Sequence, residues 1–193
     1  MKNMNNKKAL TIKYIGYLVF IVVLTVVDQI TKFIAVDKLK NNKAFVIWDG
    51  VFELSYVENR GAAFGMQEGK IAMFVAITAI LVPVLIYAIY RVDNILKEKG
   101  DAVNKRAFTL LQIDLALLIA GAIGNLIDRL ANGYVVDFLY FKLIDFPVFN
   151  IADCYVTVST IALMIICCFM LSDKELDYLL RSKKKWEDIN EDK

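Results

Sequence analysis

The 193-residue chain reads as an all-α membrane protein, a four-transmembrane-helix bundle with a small extracytoplasmic β-sheet between helices 1 and 2. Three observations predict this. Hydrophobic residues make up 58% of the chain and the mean hydropathy is +0.51, more apolar surface than a soluble domain of this size can hide. Four apolar stretches, about 14–36, 71–90, 107–130 and 151–171, each approach the ~20 residues that cover a hydrocarbon core. Basic residues also alternate between connections: fifteen fall in the N-terminal segment, the second connection and the C-terminal tail, against six in the first and third connections. Positive loops stay on the cytoplasmic side, so both termini are expected inside, in a cytoplasmic membrane crossed several times.

The first stretch is too long for a removable signal peptide and lacks a small-residue cleavage site, so a retained helix is expected. After it, an insertion over about 44–65 carries Phe45-Val46-Ile47-Trp48 and Val51 to Val57 on either side of Asp49-Gly50. That dipeptide predicts a two-residue hairpin turn, in which both turn positions take positive φ. The resulting sheet should lie on the outer membrane surface. Phe45, Trp48, Phe52 and Tyr56 are placed either against lipid headgroups or on the helix ends. The third stretch carries Gly121 and Gly124, a small-residue surface for close helix packing. The fourth is followed by a charged tail, 172–193, expected in the cytoplasm. With no repeat and no low-complexity linker, residues 1–193 form one integral membrane domain, expected to be a monomer among membrane lipids.

Composition removes many chemistries. The chain has no histidine, which excludes zinc peptidases of the His-Glu-x-x-His kind and His-dependent serine or cysteine nucleophiles. Cys154, Cys167 and Cys168 have no metal spacing, and an odd count argues against a disulfide framework. No metal and no cofactor are expected. The basic runs lack interleaved stacking aromatics, so no nucleic-acid partner is expected either.

The polar residues gather at one boundary. Asp137, in Val135-Val136-Asp137-Phe138, and Asp153, in Phe149-Asn150-Ile151-Ala152-Asp153, lie just past the outer ends of spans. A carboxylate there costs about 2 to 3 kcal/mol near hydrocarbon, so two flanking one short loop suggest an aspartyl dyad for peptide hydrolysis. Asp28 and Lys32, four apart in Asp28-Gln29-Ile30-Thr31-Lys32, share a helix face and can neutralise one another. Asn125, Asp128 and Arg129 sit at the outer end of the third span, and the two sets should meet. Interhelical glue and a part in the site are both open to Asp28, Lys32 and Asp128. The insertion adds Asn59-Arg60-Gly61-Ala62-Ala63-Phe64-Gly65, where glycines permit close backbone approach and Asn59 offers donor and acceptor. Asp114 lies toward the other end of its helix and reads as unrelated.

These residues resemble the lipoprotein signal peptidases, also called signal peptidase II. Five motifs in order carry the resemblance: Asp28-Gln29-x-Thr31-Lys32, Asn59-x-Gly61-Ala62-Ala63-Phe64, Gly124-Asn125-x-x-Asp128-Arg129, Val136-Asp137-Phe138 and Phe149-Asn150-x-Ala152-Asp153. By that resemblance Asp137 and Asp153 are the catalytic pair, and Asn59, Asn125, Arg129 and Asn150 line the substrate site. Asp28, Lys32, Gly61, Asp128, Phe149 and Ala152 then support the architecture. The family implies lipid-modified prolipoprotein substrates, cleavage just before the diacylglyceryl-cysteine without a cofactor, and inhibition by globomycin. The tail after Leu171 lies outside the resemblance.

The chemistry of the residues agrees. Two close carboxylates cannot both ionise cheaply, so one keeps a proton while its partner acts as base toward water. A proton-coupled transporter would also use intramembrane Asp and Lys, but it would show interrupted helices at the midplane, which Pro83 alone does not supply. A Ser-Lys peptidase built on Ser55 with Lys32 lacks a nucleophile setting, since Ser55 falls in a predicted strand. A structural scaffold is the remaining reading.

Overall fold

The computed structural model describes residues 2–61 and 71–180, with side chains from residue 8 onward. Helix α1 is Lys2–Leu39, α2 Ile71–Lys99 and α3 Lys105–Asn132, while α4 is Ile151–Ile165, continued by a π-helical turn, Ile166–Met170. A short α5 spans Asp173–Leu180. Strands β1 (Phe45–Trp48), β2 (Phe52–Asn59) and β3 (Val135–Phe141) complete the element order. Four of the helices are long and apolar enough to cross a membrane. Helices α1, α2 and α3 run past the apolar stretches of the sequence, whereas α4 with its π-helical turn keeps within its own.

Capping residues fix those ends. Asn104 accepts the Ala107 N–H at 3.1 Å and starts α3. Gly133 stops it in a left-handed conformation, φ 75°, with its N–H on the Arg129 carbonyl. Asn150 starts α4 through a capping box, its side chain accepting the Asp153 N–H while the Asp153 carboxylate accepts the Asn150 N–H.

Helix α3 is the centre of the bundle and packs against α1, α2 and α4. Half of its most apolar window is buried, whereas the other three spans turn most of their apolar side chains outward, as lipid-facing helices do. Gly121 and Gly124 let α3 approach its neighbours: a Cβ on Gly121 would fall 2.7 Å from the Ala152 carbonyl oxygen, and one on Gly124 2.6 Å from Asp28 Oδ2. Away from the sheet, Val92, Phe108, Leu111 and Ile119 form the apolar core, tied to α1 where Lys13 donates to Asp93 at 2.6 Å and to Gln112 at 2.7 Å.

The protein is mostly helical with a small sheet, which has one strand more than the insertion alone supplies. Its order is β1-β2-β3, antiparallel throughout, and the third strand comes from the connection between α3 and α4. Val135 to Phe138 are buried in succession, so the segment lacks the alternation that announces a half-exposed strand. It packs with Ala35 and Leu39 of α1 in a second small core. The hairpin turn also differs from expectation. Trp48 pairs with Phe52, which leaves Asp49, Gly50 and Val51 in the loop, and only Gly50 takes positive φ, 69°. The Val51 N–H closes it on the Trp48 carbonyl at 3.0 Å.

The charged tail begins with a helix, α5. Ser172 and Glu175 cap α5, and Arg91 of α2 donates to the Tyr178 and Leu179 carbonyls, both at 2.8 Å. Residues 62–70 and 181–193, which include Ala62 to Gly65 and the basic run after Leu180, lie outside the described residues.

Candidate active site

Five elements bring one polar network to the end of the bundle beneath the sheet. Strand β3 supplies Asp137, the start of α4 supplies Asn150 and Asp153, and the end of β2 supplies Asn59. Helix α3 adds Asn125 and Asp128, and α1 adds Asp28 and Lys32.

Each oxygen of the two candidate catalytic carboxylates accepts an N–H. On Asp137, Oδ1 accepts from Asn150 Nδ2 at 2.6 Å and Oδ2 from Asn59 Nδ2 at 2.8 Å. On Asp153, Oδ1 accepts from Asn125 Nδ2 at 2.7 Å and Oδ2 from the Asn150 backbone N–H at 3.1 Å. Asn150 therefore holds both carboxyls, and a further bond from its Nδ2 to Asn125 Oδ1 at 3.0 Å closes the ring. Asp137 is 1% exposed and Asn150 fully buried. Burial pushes the Asp137 carboxyl up to about 7, the charge of Asp153 pushes it further, and the amides of Asn59 and Asn150 pull the other way.

Beneath this layer lies an ionic one. Lys32 Nζ sits 2.9 Å from Asp28 Oδ2 and 3.1 Å from Asp128 Oδ2, all three side chains almost wholly buried. The same ammonium donates to Asn125 Oδ1 at 2.9 Å. Asp28 Oδ1 accepts the Ala152 N–H at 2.9 Å, and Asp128 Oδ2 accepts the Val136 N–H at the same distance. The two sets expected to meet are thus joined, and each carboxylate fixes the backbone next to a dyad residue: Ala152 before Asp153, Val136 before Asp137.

The remaining sequence candidates fall around the network. Gly61 donates its N–H to Asn59 Oδ1 at 3.1 Å, which turns the Asn59 amide so that Nδ2 faces Asp137. On the other face of β2, Lys40 and Arg60 bind Glu58 at 3.0 and 3.2 Å and hold that carboxylate down at about 2. Phe149 pairs its backbone with Leu139, and its ring stacks on Phe141 at 5.7 Å. Arg129 stands at the edge. Its Nη1 donates to the Asn125 carbonyl at 3.2 Å, and no ion pair forms to it among the described residues. Asp114 lies elsewhere in α3, buried, with Oδ2 unpartnered among the described residues.

Two participants escaped the sequence reading. Gln29, seen only as part of a motif, donates through Nε2 toward Asp28, the Gly124 carbonyl and Asp128 at 3.2, 3.1 and 3.0 Å. A neutral amide inside an apolar span was the signal that could have found it, since such a group needs partners there. Phe74, whose ring lies 4.7 Å from the Arg129 guanidinium, gave no signal, being one apolar residue in an apolar helix.

The arrangement provides a carboxyl pair in which one member keeps a proton near neutrality, held rigid by amides at the end of a membrane bundle. That is the equipment of an aspartic peptidase. Comparison with known proteins agrees with it. Residues 20–169 match the family model described as signal peptidase (SPase) II. The lipoprotein signal peptidase of Clostridium tetani is 38% identical over 151 residues, 77% of this chain and 89% of the relative. That of Streptococcus pyogenes serotype M6 is 35% identical over 162 residues, 84% of this chain and 95% of the relative. Two solved bacterial membrane enzymes superpose with TM-scores of 0.65 and 0.64 at 32% and 31% identity, covering 79% and 80% of this chain and 87% and 93% of theirs. The matched span takes in the whole network from Asp28 to Asp153, and the chain, a multi-pass membrane protein and an aspartic-type peptidase, belongs to the signal peptidase II family.

Proposed function

We propose that this protein removes the signal peptide from diacylglyceryl-modified prolipoproteins, cutting just before the lipidated cysteine, with Asp137 and Asp153 as the acid and base. The observation that carries the reading is Asn150, whose side chain binds Asp137 at 2.6 Å and whose backbone N–H binds Asp153 at 3.1 Å, clamping two carboxyls into one unit.

The proton rests on Asp137. It is the more deeply buried of the two carboxyls, whereas Asp153 sits in the first turn of α4, where the helix N-terminus favours an anion. Ionised Asp153 takes a proton from water as the oxygen attacks the scissile carbonyl carbon, and Asp137 gives its proton to the carbonyl oxygen. Collapse of the tetrahedral intermediate breaks the C–N bond: a hydroxyl proton of the gem-diol returns to Asp137 as the carbonyl re-forms, and the proton held by Asp153 leaves with the amine. General acid-base assistance of this kind is worth about 10² to 10⁴ in rate. Arg129 grips the substrate backbone, with Asn59, Asn125 and Asn150 lining the site, while Asp28, Lys32 and Asp128 hold the frame.

The distribution of basic residues supports both termini in the cytoplasm and the dyad at the outer face. The substrate's acyl chains then stay in the bilayer while its peptide bond meets the carboxyls at the surface. One copy of the chain carries a full set of the named residues, in keeping with a monomer that forms a single domain. The test is to incubate purified full-length protein with a synthetic diacylglyceryl-cysteine prolipopeptide and identify the products by mass spectrometry. One cut immediately before the lipidated cysteine, blocked by globomycin, is expected; absence of cleavage in active lipid would overturn the reading.

A further inference from the structure

Arg129 has five N–H donors in a rigid planar fork, and among the described residues one hydrogen bond from it is formed. Asp128, Asp137 and Asp153 all lie in the same network, yet among the described residues no carboxylate comes within ion-pair distance of the guanidinium. Its hydrogen bond runs to a carbonyl of its own helix, Asn125, at 3.2 Å. What meets the group is the ring of Phe74, in the first turn of α2, with the guanidinium carbon over it at 4.7 Å from the ring centre. A ring attracts a cation through its π face and accepts nothing from the N–H edge. A carboxylate in that place would neutralise the charge and occupy two donors. Support by a ring holds the charge in place without occupying an N–H donor.

We propose that Phe74 is a positioning residue for the cleavage reaction: its ring holds the Arg129 guanidinium through a cation–π contact, so that N–H donors of that group remain for the backbone of the bound substrate. The proposal rests on the reading of Arg129 as a substrate-gripping group. It also gives α2 a part in the site, since the hydrogen-bonded network itself is drawn from α1, α3, α4 and the sheet. Because the grip acts on the substrate before and during the reaction, loss of the ring should weaken binding rather than the chemical step.

The experiment is steady-state cleavage of the synthetic diacylglyceryl-cysteine prolipopeptide by full-length Phe74→Leu, Phe74→Tyr, Arg129→Gln and the Phe74→Leu/Arg129→Gln double variant, with melting temperatures taken in parallel. From the strength of a partly desolvated cation–π contact, Phe74→Leu should raise KM about 3- to 30-fold with kcat within about twofold of wild type. Phe74→Tyr keeps the ring and should match wild type. On the Arg129→Gln background, which itself raises KM, Phe74→Leu should add nothing. If Phe74→Leu melts early, Phe74→Met takes its place as an apolar side chain of similar reach without a ring. Unchanged KM in the ringless variant, an equal loss in Phe74→Tyr, a fall confined to kcat, or additive effects in the double variant would each overturn the role of Phe74 while leaving Arg129 in place. Wild-type KM in Arg129→Gln would remove Arg129 from the substrate site and the proposal with it.

Discussion

Lys32 reaches the side chain of Asn125 at 2.9 Å, and that contact decides which way the amide faces. An ammonium only donates, so the atom it meets must be Oδ1, and Nδ2 is left pointing at Asp153, 2.7 Å away. A residue of the first helix thus orients a donor to the dyad without touching it.

Removing that ammonium should therefore act on stability first. Lys32→Met leaves Asp28 and Asp128 facing one another without a counter-charge, and breaking a buried pair of this kind costs about 3 to 5 kcal/mol. Melting temperature and membrane abundance should fall together with cleavage. A variant of native stability and abundance that does not turn over would instead put Lys32 in the chemical step.

For the carboxyls themselves, Asp137→Asn and Asp153→Asn should each abolish cleavage while expression, insertion and inhibitor binding persist. Asn has nearly the same shape and cannot cycle a proton. Because the pair acts as a unit, the double variant should be scarcely worse than either single one. Substantial turnover of a lipidated substrate by either variant would remove that aspartate from the mechanism.

The pH dependence follows from burial. Asp137 rises to about 7 in the folded protein, against about 3.9 for an exposed aspartate. A carboxyl raised on folding binds its proton more tightly when folded, so the folded state loses stability as pH climbs from about 4 toward about 7. Asp137→Asn cannot ionise and should melt above wild type at pH 8, with the margin closing toward pH 4. The cleavage profile should be bell-shaped and report the pair jointly. A pH-independent margin in melting temperature would contradict the raised carboxyl.

Chelation should leave activity intact. The four dyad oxygens each face an N–H donor, a setting that presents positive partial charge where a cation would have to approach, and water is activated by the carboxyls alone. Activity lost in EDTA and restored by one divalent metal would overturn the aspartyl mechanism.

Gly124→Ala offers a steric probe. The added Cβ would lie 2.6 Å from Asp28 Oδ2 and 3.2 Å from the Ala152 Cβ, and Asp28 is already fixed by Lys32 and the Ala152 N–H. Overpacking of this kind costs about 1 to 3 kcal/mol, and the shift passes straight to Asp153 through its neighbour. Thermal unfolding and cleavage should both register it.

The spans were legible because hydropathy over ~20 residues is set by the bilayer and not by tertiary detail. The gathering of Asp28, Lys32, Asn125 and Asp128 was legible too, since charge in apolar helices has few places to go. Strand β3 was not: buried on both faces, Val135-Val136-Asp137-Phe138 carries no period of two. The turn at Gly50 was anticipated in place but not in length, because the register of Trp48 against Phe52 depends on a bulge in β1 that no local rule supplies. Phe74 could not be told from its apolar neighbours until Arg129 was beside it.

The capping box of Asn150 and Asp153 ties folding order to the shape of the site. The bonds that begin the fourth helix are also the bonds that orient the Asp153 carboxylate, so that group takes its place only when the first turn of the last span has wound.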